Sequence, residues 1–217
     1  MPESSLPPNW NAPRPADPGR DKILAAAREV LNLDDPKSFS LEAVARRAGI
    51  TRMTVYNQFG SKAGLLSELF DLLIERDAFS KAPTVFAQQD LGSAFDLFVE
   101  ILGRFYTDNR PLMARLSAVA GLDADLDDAM RSRNLRRRHA VETLIRRFSG
   151  TFEPAVAASE LVNTLDVLMN FNTFSAIAGP DRTPADVVPH IRRMIRGVLG
   201  IKPRARSRKS KRRSPHG

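Results

Sequence analysis

Apolar residues recur at three- and four-residue intervals along most of this chain, and no stretch shows the alternation of a strand, so the pattern predicts an all-α protein of about nine helices. Ile23, Leu24, Ala27, Val30 and Leu31 share one face of a first helix, which stops at the polar, proline-containing stretch 32–37. Ser40 stands where an N-cap belongs. Phe39 precedes it and Val44 follows four positions on, the arrangement of a hydrophobic staple opening a second helix that runs to about Ala48. Gly49 supplies the backbone angles of a tight helix end, Ile50 plugs the corner, and Thr51 caps a third helix. Residues 40–59 therefore read as helix, short Gly-containing turn, helix.

Gly60 ends the third helix and Ser61 caps a fourth, whose Leu65, Leu66, Leu69, Phe70, Leu73 and Ile74 continue towards Phe79. Further segments span about 91–107, 111–121, 125–148, 154–178 and 184–199, the last opened by a capping signature at Thr183–Asp186. Gly or Pro marks the breaks between them. Four regions follow. Residues 1–19, with six of the fifteen prolines, form a disordered arm, and 20–66 a small helix-turn-helix unit. Residues 67–201 form a larger helical domain and 202–217 a disordered basic tail.

The third helix, RMTVYNQF, has a two-residue apolar anchor, Val55 and Phe59, one turn apart, and is otherwise almost wholly hydrogen-bonding. Such a helix is held from behind and reads something in front. In a major groove Arg52 can fork onto guanine, while Asn57 and Gln58 can pair with adenine or phosphate. Met53 and Thr54 can touch a thymine methyl, and Tyr56 and Lys62 suit phosphate oxygens.

Charge changes this picture less than its size suggests. The net +8 is carried by the eight basic residues from Lys202 onward, so residues 1–201 are neutral overall and nucleic-acid binding rests on local pattern. The tail reads as a polycation that holds phosphate without reading bases. The chain has no cysteine, which excludes disulfides and thiolate chemistry, and no run approaches a membrane span, so a cytoplasmic protein without membrane partners is expected. His139, His190 and His216 are scattered, with no phosphate loop or metal-spaced ligand set. The Asp123–Asp128 cluster lacks the glycine and terminal glutamate of a calcium loop. No enzyme, metal or cofactor is expected.

The stretch SLEAVARRAGITRMTVYNQFGSK resembles the DNA-binding motif of TetR-family (TetR/AcrR-like) transcriptional regulators. Ala45, Ala48 and Gly49, Thr51, the Val55–Tyr56 pair, Phe59, and Ser61–Lys62 followed by Leu65 fall at that family's spacing, and the likeness covers about residues 20–66. The resemblance implies that Ser40, Thr51, Tyr56 and Lys62 contact phosphates and that Arg52, Met53 and Thr54 approach bases. Asn57 and Gln58 depart from the aromatic or histidine residues usual there.

The same resemblance implies a homodimeric, ligand-responsive repressor on a palindromic operator, with the larger domain binding a small-molecule effector and dimerising. Half-sites would then lie about one DNA turn, roughly 34–36 Å, apart. Phe98, Phe105, Met113, Leu116, Met169, Asn170 and Phe174 are candidates to line the effector pocket, Asn170 as the orienting polar group. Leu161, Leu165, Leu168, Met169, Val187, Val188, Ile191, Ile195, Val198 and Leu199 are candidates for both a core and a dimer face. The arginine run from Arg131 to Arg147 reads as a solvated helix face paired with nearby acids. The alternative function is a non-specific architectural DNA-binding protein using arm and tail.

Overall fold

The computed structural model describes residues 17–32, 39–78, 81–119, 124–152 and 156–201. The basic tail and nearly all of the proline-rich arm lie outside these residues. Among the described residues there is no strand. Four helices make the N-terminal unit: α1 (Pro18–Leu31), α2 (Leu41–Ala48), α3 (Arg52–Phe59) and α4 (Lys62–Leu73). A π-helical turn, Ile74–Ala78, continues α4, so the two units share one helix. Seven more helices follow: α5 (Ala82–Phe86), α6 (Leu91–Asp108), α7 (Arg110–Val119), α8 (Ala124–Arg147), α9 (Ala158–Leu168), α10 (Phe171–Ala178) and α11 (Val188–Val198).

The count is eleven among the described residues rather than nine, for two local reasons. Helix α5 is only five residues long, too short to show a period. The segment expected over 154–178 contains a break at Met169–Asn170, where the Asn170 side chain accepts from the Thr173 N–H at 2.8 Å and caps a new helix. The Thr183–Asp186 signature is formed: Asp186 Oδ2 accepts from the Thr183 N–H at 2.8 Å, and a short 3₁₀ turn, Ala185–Val187, leads into α11.

Local rules set the N-terminal unit. The hydroxyls of Ser40, Thr51 and Ser61 accept from the backbone N–H three residues on, at 3.1, 3.1 and 2.9 Å, starting α2, α3 and α4. Gly49 closes α2 at φ 67°, a conformation that favours glycine. Phe39, Val44 and Val55 are buried together with Leu24, Ala27 and Leu65 in the core. Arg20 of α1 forks onto Glu68 of α4, and its guanidinium lies 4.6 Å from the Phe59 ring centroid, so α1 and α4 grip the back of α3.

In the larger unit α6 is the central rod, and α11 lies along it, fixed by arginine forks. Arg196 binds Asp96 at 3.1 and 2.5 Å, and Arg192 donates to the Asp96 carbonyl and to Glu100. Leu161, Leu165, Leu168, Met169, Val187, Val188, Ile191, Ile195 and Leu199 are all buried within one protomer, and Val198 is half-buried. The expectation that these residues also offer an outer face is corrected: the core takes them. The large apolar side chains that remain exposed on packed neighbours are Leu135 of α8, 63%, and Val167 of α9, 57%.

Candidate functional site

Helix α3 advances roughly 100° per residue. Val55 and Phe59 therefore share one side, buried, and Met53 and Asn57 come out opposite, exposed, with Thr54 half-buried beside them. Arg52 and Tyr56 flank the anchor on one side and Gln58 on the other. Met53 at 61% exposure and Tyr56 at 49% are large apolar-bodied side chains left in water on a short helix, free to make contacts in a groove.

The polar groups of this face are already organised. Arg52 forms an ion pair with Glu42 of α2. The Glu42 carboxyl is held below its usual range by its own backbone N–H, then by the Ser40 hydroxyl and by Arg52. Thr51 and Thr54 share a hydroxyl contact of 2.8 Å. Gln58 is half-buried, and its Oε1 is shielded with no hydrogen-bond partner among the described residues. Lys62 sits in the first turn of α4, exposed, with Nζ 5.5 Å from the Phe39 ring centroid. Arg115 of α7 approaches the same ring at 5.6 Å, so the residue that staples α2 also touches the larger domain.

Behind this unit lies a cavity of about 260 Å³, walled by α4, α6, α7, α8 and the α9–α10 break. Of the seven residues expected to line a pocket, Phe98, Phe105, Met113 and Asn170 border it. Leu116, Met169 and Phe174 are fully buried and do not border it. Asn170 spends its oxygen on the α10 cap. Tyr106, also on the wall, donates to the Met169 carbonyl at 3.0 Å, and its ring packs edge-on against Phe105, Phe171 and Phe174. Burial pushes the Tyr106 phenol up, against the opposing pull of Arg137.

The sequence pattern gave no sign of the polar side of this cavity. Arg131 and Arg138 pair with Asp127 and Glu142 on the α8 surface, as a solvated face should. Arg133 and Arg137 instead turn inward. Arg133 is 6% exposed, donates to Asp71 at 2.9 and 2.6 Å and to the Ser67 carbonyl at 2.6 Å, and stacks 4.9 Å from Phe70. Arg137 donates to Asp166 at 2.9 Å. Burial opposes its charge, but Tyr106 and Asp166 outweigh that and hold its pKa above the ordinary value. The signal that could have found them was spacing: Met130, Arg133, Arg137, Ala140 and Leu144 share one face of α8.

Among the described residues no group of acidic and histidine side chains is placed to hold a metal ion, and no helix is long and apolar enough to cross a membrane. Residues 23–69 match the profile of bacterial regulatory proteins of the tetR family. A curated relative, the HTH-type transcriptional regulator AlkX of Mycobacterium tuberculosis, is 31% identical over 107 residues, 48% of this chain and 48% of that protein. The match thus spans about half the length of that relative. The fold is shared with a TetR transcription regulator from Haloarcula marismortui, TM-score 0.68 at 17% identity over 84% of this chain and 96% of the other. It is also shared with FadR from Bacillus subtilis, solved in complex with stearoyl-CoA, TM-score 0.65 at 14% identity over 84% and 99%.

Proposed function

We propose, from a chain that belongs to the TetR family of bacterial regulatory proteins through its N-terminal domain, that it is a homodimeric repressor of transcription released by a small-molecule effector. The observation that carries the DNA-binding part is the exposed face of α3, with Met53, Tyr56 and Asn57 in water and Val55 and Phe59 buried behind. Arg52, Met53, Thr54, Asn57 and Gln58 face bases, and Ser40, Thr51, Tyr56 and Lys62 hold phosphates. Two such helices in a two-fold dimer fit a palindrome. Leu135 and Val167, on the packed helices α8 and α9, are the apolar part of the dimer face. The effector enters the α4–α8 cavity and changes the separation of the two reading helices. The acyl-CoA of the Bacillus subtilis FadR complex supports an acyl-type ligand by analogy of fold.

The test is selection of genomic fragments by purified protein at near-physiological salt, beside a Tyr56→Ala, Lys62→Ala double variant. One short palindromic site is expected for the wild type, with affinity for it at least tenfold weaker in the variant. Equal, indiscriminate recovery by both proteins would mean an architectural protein that binds through arm and tail.

The tail permits a separate prediction. Truncation after Ile201 removes eight cationic side chains and is expected to flatten the dependence of log K on log salt, by about 0.9 for each phosphate no longer neutralised, while leaving site preference intact. An unchanged slope would show that the tail does not touch DNA.

A further inference from the structure

The cavity has one polar wall, and one of the arginines bordering it carries an uncommitted donor. Arg133 is 6% exposed, yet its Nη1 is buried with no hydrogen-bond partner among the described residues, while Nε and Nη2 are spent on Asp71 and Ser67. A buried, unpaired guanidinium N–H is costly, and a carboxylate oxygen brought to it would relieve that cost. Charge points the same way. Arg133, Arg136 and Arg137 border the cavity, with Asp166 on the same wall and Asp71 just behind, so most of the charged groups at its border are cationic. Elsewhere the lining is largely apolar, with Phe98, Ile101 and Phe105, and about 260 Å³ is just below the ~300–1,000 Å³ of small-molecule sites.

We propose that the effector is a compact amphipathic monoanion: a carboxylate seated on Arg133, with an apolar body against Phe98 and Phe105. A neutral hydroxyl offers Nη1 only an uncharged, weaker bond, and a cation meets a wall whose bordering charged groups are mostly cationic. The same Arg133 holds Asp71 and Ser67 of α4, the helix that begins at Lys62; because Nη1 is shielded, a carboxylate reaches it only by drawing the guanidinium away from Asp71, which loosens α4 from α8. This assignment rests on the reading of the cavity as the effector site.

The probes are octanoate, octanol and octylammonium, equal in chain and different in head-group charge, titrated calorimetrically into the full-length protein. Octanoate is expected to bind at least tenfold more tightly than octanol, and octylammonium to show no saturable binding. Arg133→Met should weaken octanoate at least tenfold and leave octanol unchanged. Asp71→Asn, which removes the competing carboxylate, should tighten octanoate severalfold, and this opposite shift keeps the test decisive if Arg133→Met fails to fold. Equal binding of octanoate and octanol, no saturable octanoate binding, or an affinity indifferent to both substitutions overturns the assignment. Octanoate should also lower retention of the selected DNA fragment, and binding without that effect overturns the coupling through α4. If no DNA site is selected but octanoate binds as described, the regulator reading fails and the chemistry of the cavity stands.

Discussion

Tyr106→Ala is expected to destabilise the protein by about 3–5 kcal/mol, the range for deleting a buried aromatic ring, and to lower Tm by roughly 6–20 °C. The ring is 3% exposed and meets three others edge-on, so the space it leaves cannot collapse cheaply. Its hydroxyl has a second duty: the Met169 carbonyl lies at the C-terminal end of α9, where helical partners run out, and the phenol satisfies it at 3.0 Å. Tyr106→Phe keeps the ring and orphans that carbonyl, for a cost of about 1–2 kcal/mol. Thermal unfolding of the two variants separates packing from hydrogen bonding, and equal losses would refute the packing account. The hydroxyl is also expected to add a pH-dependent contribution at the alkaline end, absent from the Phe variant. Burial raises the folded phenol above its unfolded value of about 10, so the contribution is full below about pH 10 and is lost as pH climbs towards the folded value. The Phe variant should lack that decline.

Gly64→Ala is the second large effect, and its sign is the informative part. In a helix interior, alanine ordinarily stabilises over glycine by about 1 kcal/mol. At Gly64 an added Cβ would stand 2.1 Å from the carbonyl oxygen of Phe59, a backbone atom that cannot swing aside. Overpacking of that kind costs about 1–3 kcal/mol or more, so a net loss of about 2 kcal/mol is expected, together with weakened operator binding as α3 shifts against α4. Gly197 in α11 is the control: a Cβ there meets nothing within 4 Å, and Gly197→Ala should gain about 0.5–1 kcal/mol. Stabilisation by both substitutions would disprove the close approach of the two helices.

Much of the N-terminal unit was legible because its determinants are local. The hydroxyls of Ser40, Thr51 and Ser61 cap helices within three residues, and Gly49 takes the left-handed angle its neighbours require. The anchor of Val55 and Phe59 follows from helical period alone. The cavity was less legible because its polar wall is tertiary. Asp71 and Arg133 meet across 62 residues, and nothing in the run of arginines distinguishes Arg133 from its solvated neighbours until α8 has been docked on α4. Asn170 does border the cavity, but its second duty, capping α10 through its oxygen, depends on a helix break that the apolar period does not show. The apolar residues of the last helices carried no sign of whether a second subunit or their own would cover them.

The shared helix α4 has a mechanical consequence. Twelve residues at 1.5 Å each make a rod of about 18 Å, with Lys62 at one end and the wider-wound Ile74–Ala78 turn at the other. Pivoting that rod by about 5° at its far end sweeps its tip through roughly 1.6 Å, comparable to half a hydrogen-bond length. Leverage of this kind turns a sub-ångström displacement near Asp71 into a shift of Lys62 large enough to make or break a hydrogen bond, with neither unit altering its own interior.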